Sequence, residues 1–151
     1  MVNTSTLPQW IYEDKPFKGP TTEYGFIYEL VFNDGSKYIG KKDFFSTIKL
    51  PAFKSGEQRP NSVRTYKNIN GKRVYYDILT KPSNWQAYVS SSKLIGSRTV
   101  TSRTILAMAN TKRELTYLET KYLFIHEVLE SSTYLNENIL GKFYKLPNKE
   151  A

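Results

Sequence analysis

Tyr24-Gly25-Phe26-Ile27-Tyr28-Glu29-Leu30-Val31-Phe32, then Asn33-Asp34-Gly35, then Ser36-Lys37-Tyr38-Ile39-Gly40-Lys41, is the stretch that decides the fold. The first run alternates strictly. Phe26, Tyr28, Leu30 and Phe32 share one face, and Ile27, Glu29 and Val31 the other, which is a β-strand pattern. Asp-Gly is a turn signal that suits positive φ. The spacing predicts an antiparallel hairpin. Its register is open. A two-residue Asp34-Gly35 loop pairs Val31 with Tyr38 and puts Tyr28 and Tyr38 on opposite faces. A three-residue Asn33-Asp34-Gly35 loop pairs Leu30 with Tyr38 and puts them on one face.

Outward from this hairpin the organisation continues. Val63–Ile69 and Lys72–Ile78 flank Asn70-Gly71, a second hairpin. Lys81-Pro82-Ser83-Asn84 breaks it. A short helix is expected over Ser91–Ser97 and a third core strand over Thr101–Met108. Thr111-Lys112-Arg113-Glu114 has capping-box spacing. Leu115, Leu118, Tyr122, Ile125 and Leu129 then form one apolar stripe, so the helix is expected to reach about Glu130. Ser131–Leu140 returns to the core as a short strand or loop. Residues 1–22 hold three prolines and no periodicity; they read as an N-terminal arm, with Trp10 and Phe17 docking on the core. Residues 23–145 read as a single domain with a basic insertion at about 43–84, and 146–151 as a flexible tail. The fold class is α+β, a small α/β sandwich: a three-stranded antiparallel sheet flanked by helices, with an inserted β-hairpin.

Composition narrows the chemistry. The 151 residues contain 39% hydrophobic side chains, enough for a core, and no cysteine, which removes disulfides, thiolate metal sites and cysteine nucleophiles. The single histidine, His126, excludes a histidine ligand cluster within the chain and is more readily a structural residue than a ligand. The apolar runs are too short to span a bilayer, and Met1–Thr6 lacks the basic start and apolar core of a secretory signal, so a cytoplasmic protein with no membrane partner is expected. Net charge is +8 with a pI near 9.5. The charge is concentrated: Lys41 to Arg73 carries nine lysines and arginines against two carboxylates. That segment also holds Pro51, Gly56, Pro60 and Gly71, so much of it is expected to be loop, positioned to follow a phosphate backbone or simply solvated. Twelve tyrosines suit a surface that stacks on bases, as they suit a packed core.

Gly25-Phe26-Ile27-Tyr28 followed by Tyr38-Ile39-Gly40 resembles the two signature strands of the GIY-YIG endonuclease family. Two more features resemble it: a glutamate, Glu119, on the helix after the third strand, and an asparagine, Asn136, in Tyr134-Leu135-Asn136. Trp85-Gln86-Ala87-Tyr88-Val89-Ser90-Ser91-Ser92-Lys93-Leu94 looks like a run of phage-type members, with Ser90 where their glycine stands. All occur in family order over roughly Tyr24–Leu140. The resemblance implies a metal-dependent endonuclease hydrolysing DNA phosphodiester bonds, phage-encoded and either free-standing homing or restriction-like. It implies that Glu119 holds Mg²⁺ or Mn²⁺, that Tyr28, Tyr38 and Asn136 belong to the site, and that Tyr28 positions the water or receives its proton. One departure stands out: the family's arginine after the second strand is missing, since Asp43–Pro51 contains none.

The residues themselves fit this chemistry. A single glutamate on a helical stripe, four residues after Leu115, points toward the sheet, where a carboxylate needs a metal, a cation or hydrogen bonds. The bland alternative is a salt-bridged helix-edge residue. Tyr28 and Tyr38 are otherwise core aromatics with wet hydroxyls. If Tyr28 accepts a proton, the site must favour its phenolate. Gly40 allows close approach of a phosphate or of a neighbouring side chain. Lys41 and Lys42 point oppositely, so one meets the phosphate while the other faces solvent, and either replaces the missing arginine; Arg59 or Arg64 folding back is the other option. Contacts to nucleic acid are assigned to Gly40, Arg59, Arg64, Lys67 and Arg73, and to Ser91 and Lys93 in the serine run. The partner expected is double-stranded DNA, with specificity from the inserted hairpin, from a homodimer, or loose. The alternative is a catalytically inactive nucleic-acid-binding protein on the same scaffold.

Overall fold

The computed structural model describes residues 7–145. The expected tail at 146–151 and the first six residues of the arm lie outside the described residues. The chain divides into two units, one made of residues up to Phe44 and from Asn84 onward, the other of Phe45–Ser83.

The larger unit is built on one sheet. Its central hairpin is β3 (Gly25–Phe32) and β4 (Lys37–Asp43). β8 (Val100–Ala109) pairs antiparallel with β3 on the other side. Where the sequence predicts three strands, the sheet has five, in the order β2-β1-β8-β3-β4. The additions are β1 (Trp10–Tyr12), parallel to β8, and β2 (Lys15–Pro16), antiparallel to β1. Neither strand is long enough to show alternation, so no periodic signal marks them. They are held through Trp10, 3% exposed, whose indole N–H donates to the Trp85 carbonyl at 2.9 Å.

The alternation of β3 feeds two cores. Phe26, Tyr28, Leu30 and Phe32 pack with Trp10, Phe44 and Trp85 on one face. Ile27 packs with Ile39, Leu115, Leu123, Val128 and Tyr134 on the other. That second face is covered by α1 (Lys112–Ile125), the single α-helix among the described residues. Its cap is as expected at Thr111, whose hydroxyl accepts from the Glu114 amide at 3.1 Å; the Glu114 carboxylate reaches back to the Asn110 amide at 2.9 Å. The helix stops at Ile125 rather than near Glu130, because Glu127 takes a left-handed backbone and turns the chain. The stripe rotates accordingly: Leu123 is buried and Ile125 is exposed. The helix expected at Ser91–Ser97 is only a 3₁₀ turn, Lys93–Ile95, started by Ser92 accepting from the Leu94 amide and closed at Gly96. A second 3₁₀ turn spans Trp85–Ala87. Segment 138–144 closes as β9 (Asn138–Ile139) against β10 (Phe143–Tyr144).

The smaller unit is a three-stranded antiparallel sheet, order β5-β7-β6. β6 (Ser62–Ile69) and β7 (Lys72–Pro82) form the hairpin expected around Asn70-Gly71, both at positive φ. β5 (Phe45–Pro51) lies in a region expected to be largely loop; its partner is the distal half of β7, from Tyr76 to Pro82, which carries the strand beyond the expected Ile78 end and into the breaker, where it stops at Pro82. Asp77, with no solvent exposure, is the unit's buried charge. Arg64 Nε lies 2.9 Å from one carboxylate oxygen and Arg59 Nε 3.4 Å from the other.

Candidate active site

The geometry of the site starts from the hairpin loop. Phe32 N–H donates to the Ser36 carbonyl at 2.9 Å, Asp34 accepts from the Ser36 amide at 3.0 Å, and Gly35 takes φ +85. Three residues, Asn33-Asp34-Gly35, therefore form the loop. Leu30 faces Tyr38 and Tyr28 faces Gly40. The two tyrosines share a face, with ring centroids 6.4 Å apart.

Gly40 makes that arrangement possible. A Cβ at this position would lie 2.6 Å from Tyr28 Cζ, inside the ring's van der Waals shell. The phenol of Tyr28 thus runs across the Cα of Gly40, the side-chain approach considered from the sequence. β4 is the edge strand, so the ring extends toward the sheet's rim.

Tyr88 and the serine run close over the tyrosines. Tyr88 meets Tyr28 edge-on at 5.8 Å, and Lys42 Nζ sits 4.2 Å above the Tyr88 ring. Burial pushes the Tyr28 phenol far above its ordinary value, opposed by a hydrogen bond with Ser90. Burial raises Tyr38 too; the Ser92 and Ser90 hydroxyls pull it down and the Glu119 carboxylate pushes it up. The free protein therefore holds both as neutral phenols, where the sequence reading asks for a favoured phenolate at Tyr28. Besides burial, the groups that act on the Tyr28 phenol are the Ser90 hydroxyl and the phenols of Tyr88 and Tyr38.

Glu119 comes from the other side of the edge strand. It lies between Leu115 and Leu123 on the buried stripe of α1, its side chain 22% exposed. Burial raises its carboxyl above the ordinary range, against the pull of Lys41. Lys41 Nζ stands 3.9 Å from Oε1 and donates to Thr116 Oγ1 at 3.2 Å. Tyr38, Ser92, Glu119 and Asn136 line a common cavity of about 380 Å³.

Asn136 fixes the edge strand itself. Its amide oxygen accepts from the Ile39 N–H at 3.1 Å and its amide nitrogen donates to the Ile39 carbonyl at 2.8 Å. It is 6% exposed. A side chain thus stands in for a neighbouring strand, between the Tyr38 and Gly40 positions. Arg103 braces the opposite wall. It donates to the carbonyls of Pro8, Gln86 and Tyr88, and burial lowers its guanidinium to about 10.

Residues 10–139 match the family described as "Putative endonuclease segE, GIY-YIG domain". The chain belongs to the GIY-YIG endonuclease family. It is a nuclease acting on phosphodiester bonds. No curated protein and no solved structure matches the chain. The match begins at the first residue of β1 and ends at the last of β9, so the unforeseen N-terminal strand lies within the GIY-YIG domain.

The residues singled out from the sequence fall into three groups. Tyr28, Tyr38, Gly40, Lys41, Lys42, Glu119 and Asn136 come together along β4. Neither lysine simply faces solvent, because Lys41 turns to Glu119 and Lys42 to Tyr88. Ser91 and Lys93 are exposed, while their neighbours Ser90 and Ser92 are the ones beside the tyrosines. Arg59, Arg64, Lys67 and Arg73 belong to the smaller unit, the first two engaged with Asp77, Arg73 stacked 4.6 Å above Tyr66. Of the run Trp85–Leu94 that resembles a family motif, the sequence reading assigned Ser91 and Lys93 to the site and not Tyr88, Ser90 or Ser92, and Arg103 it missed. The alternation of Ser90 and Ser92 about Ser91 was the available signal for two of them. His126 lies off the cavity, 3.1 Å from the Tyr134 hydroxyl, which donates to Glu29 at 2.6 Å.

Proposed function

We propose that this GIY-YIG nuclease hydrolyses DNA at the β4 edge, with Glu119 as the one protein ligand of Mg²⁺ or Mn²⁺. The observation that carries this is the convergence of Tyr38 and Glu119 on one cavity, beside a Tyr28 ring seated on Gly40. The donor set fits such an ion. Among the described residues the Glu119 carboxylate has the Lys41 ammonium at 3.9 Å as its ion-pair partner, and no group of three His, Cys, Asp or Glu side chains gathers anywhere among them. One hard oxygen ligand suits a small divalent cation that keeps most of its water. When bound, the ion supplies charge to the phosphate oxygens and a more acidic water.

The chain's own residues do the rest. In the hydrolysis a water oxygen bonds to phosphorus, one ester P–O bond breaks, and the leaving oxygen gains a proton. Tyr28, protonated at rest, passes its phenol proton to a phosphate oxygen as it takes the attacking water's proton, so the phenol ends neutral and the proton on the phosphate goes on to the leaving oxygen. Lys42, on the tyrosine face, takes the place of the family's arginine as the phosphate cation. Lys41 neutralises Glu119 until the substrate arrives. With one such site per chain, cutting both strands of duplex DNA takes two copies.

Plasmid nicking tests the reading. Mg²⁺- or Mn²⁺-dependent nicking, absent with EDTA and in Glu119→Gln and Tyr28→Phe, is the expected result. Unchanged nicking by Glu119→Gln overturns it.

A further inference from the structure

The β6–β7 hairpin outruns the rest of its sheet. β5 ends opposite Tyr76, so Tyr66–Ile69 and Lys72–Tyr75 are ladder partners of each other alone, with one further backbone bond from the Ala52 N–H to the Tyr75 carbonyl at 3.4 Å. Every residue from Tyr66 to Tyr75 is exposed, on both faces of the ribbon. The ten residues hold three cations, Lys67, Lys72 and Arg73, and no carboxylate. Four large apolar or aromatic side chains, Tyr66, Ile69, Val74 and Tyr75, are 43–47% exposed. A solvated hairpin has no need of such a surface, and an unpaired apolar strand edge is a liability unless something covers it. The tip is narrow, a two-residue Asn70-Gly71 turn with φ of +51 and +79.

We propose that this ribbon is the sequence-reading element of the nuclease and enters the major groove of duplex DNA. This rests on the nucleic-acid substrate proposed above. The major groove, about 12 Å wide and 8.5 Å deep, admits a two-stranded β-ribbon. Four residue pairs at about 3.4 Å per residue match that scale. The two faces differ in chemistry. Asn68 lies directly opposite Arg73. Asparagine and arginine are the side chains that grip adenine and guanine edges with paired hydrogen bonds. Arg73 is already ordered, its guanidinium stacked on Tyr66, which in turn packs on Tyr75 at 5.7 Å. A side chain held this way loses less freedom on meeting a base. The other face pairs Lys67 with Val74 and Ile69 with Lys72. Its cations meet phosphates, and its branched carbons suit thymine methyl groups. Charge commits the surface to a polyanion, and the Asn68–Arg73 pair favours a duplex with readable edges over a protein partner.

The test uses the full chain carrying Glu119→Gln, so that DNA survives binding. Randomised duplexes are selected for binding and sequenced. The expected result is a consensus containing a guanine and an adenine. Arg73→Ala and Asn68→Ala each flatten one position of it, with about five- to hundred-fold less discrimination there. Lys67→Ala weakens all duplexes alike and lowers the salt slope by about one. Arg73→Lys, which keeps the charge and guards against misfolding, keeps general affinity and loses the guanine preference. Four outcomes overturn the proposal: no consensus; a consensus untouched by Arg73→Ala and Asn68→Ala; both variants weakening every sequence equally; or tighter binding to RNA or to a protein than to any duplex. Plasmid nicking by the unmodified chain is scored alongside. Nicking without a consensus defeats the ribbon alone, and a consensus without nicking defeats the chemistry alone.

Discussion

The phenol ring of Tyr28 lies across the Cα of Gly40, so close that a single added methyl group would sit 2.6 Å from its Cζ. The two residues are cross-strand partners, and the glycine is what lets a buried tyrosine reach the sheet's rim. Gly40→Ala should therefore displace the ring rather than merely stiffen the strand. The expected cost is about 1–3 kcal/mol of overpacking. Nicking should fall by at least about a hundred-fold, the scale on which misplaced reacting groups are felt. Thermal melting and plasmid nicking, measured together, check both. Gly40→Ala with full activity would mean that Tyr28 does not act where the ring now lies.

Glu119 gives a prediction about stability as well as rate. Burial raises its carboxyl, so the folded chain resists ionising it. A carboxyl with a raised folded value loses stability as pH climbs from the ordinary glutamate range, about 4.3, through that raised value. Glu119→Gln should melt with the wild type in acid and above it at neutral pH. Added Mg²⁺ should raise the wild-type melting temperature and leave the variant's unchanged. A scanning fluorimetry series in pH and Mg²⁺ reads both without any substrate.

Asn136 is expected to act through the strand it holds. Removing its amide leaves the Ile39 N–H and carbonyl unpaired at a buried edge. Asn136→Ala should cost about 1–3 kcal/mol, speed amide exchange at Ile39, and slow nicking. Asn136→Asp keeps the acceptor for Ile39 N–H and sets a carboxylate against the Ile39 carbonyl, so it should not rescue the defect. Unchanged exchange at Ile39 in the alanine variant would count against this positioning role.

In the smaller unit the pH dependence runs the other way. A hydrogen bond from Arg64, helped by Arg59, holds the Asp77 carboxyl below the usual range. Its contribution is complete above the ordinary aspartate value, about 3.9, and is lost as pH falls from there toward the lower folded value. Proteolytic nicking between residues 52 and 61 should accordingly rise as pH drops below about 4. Asp77→Asn should be nicked readily at neutral pH already, and should show little further change in acid.

How much of this was legible follows from periodicity. β3 announces itself because eight residues alternate without interruption, and α1 because its cap and stripe agree. The hairpin register was legible only as two alternatives. Choosing between them took the loop's own hydrogen bonds at Asp34 and Ser36. β1 stayed hidden because its pairing with β8 is set by Trp10 and Arg103, partners far apart in sequence. β5 was masked by the prolines and glycines around it. In the site, Gly40, Glu119 and Asn136 were visible as chemistry at a spacing. Tyr88, Ser90 and Ser92 were visible only as part of a run resembling a family motif, since their role comes from an irregular loop that Arg103 holds by the Gln86 and Tyr88 carbonyls.

The parallel pairing of Trp10–Tyr12 with Arg103–Ile105 also carries a timetable. β1 meets β2 at once, but β8, its parallel neighbour, is made some ninety residues later, about 5–20 seconds at ordinary elongation rates. β8 is the slat on which both halves of the sheet hang, with β1 on one side and β3 on the other. Until it is made, Trp10 and the Tyr28 face of β3 stay without their shared wall. The nascent chain can complete the β5–β7 sheet early and the nuclease sheet only late. On the site proposed above, the nascent chain stays inert until β8 and α1 have been made.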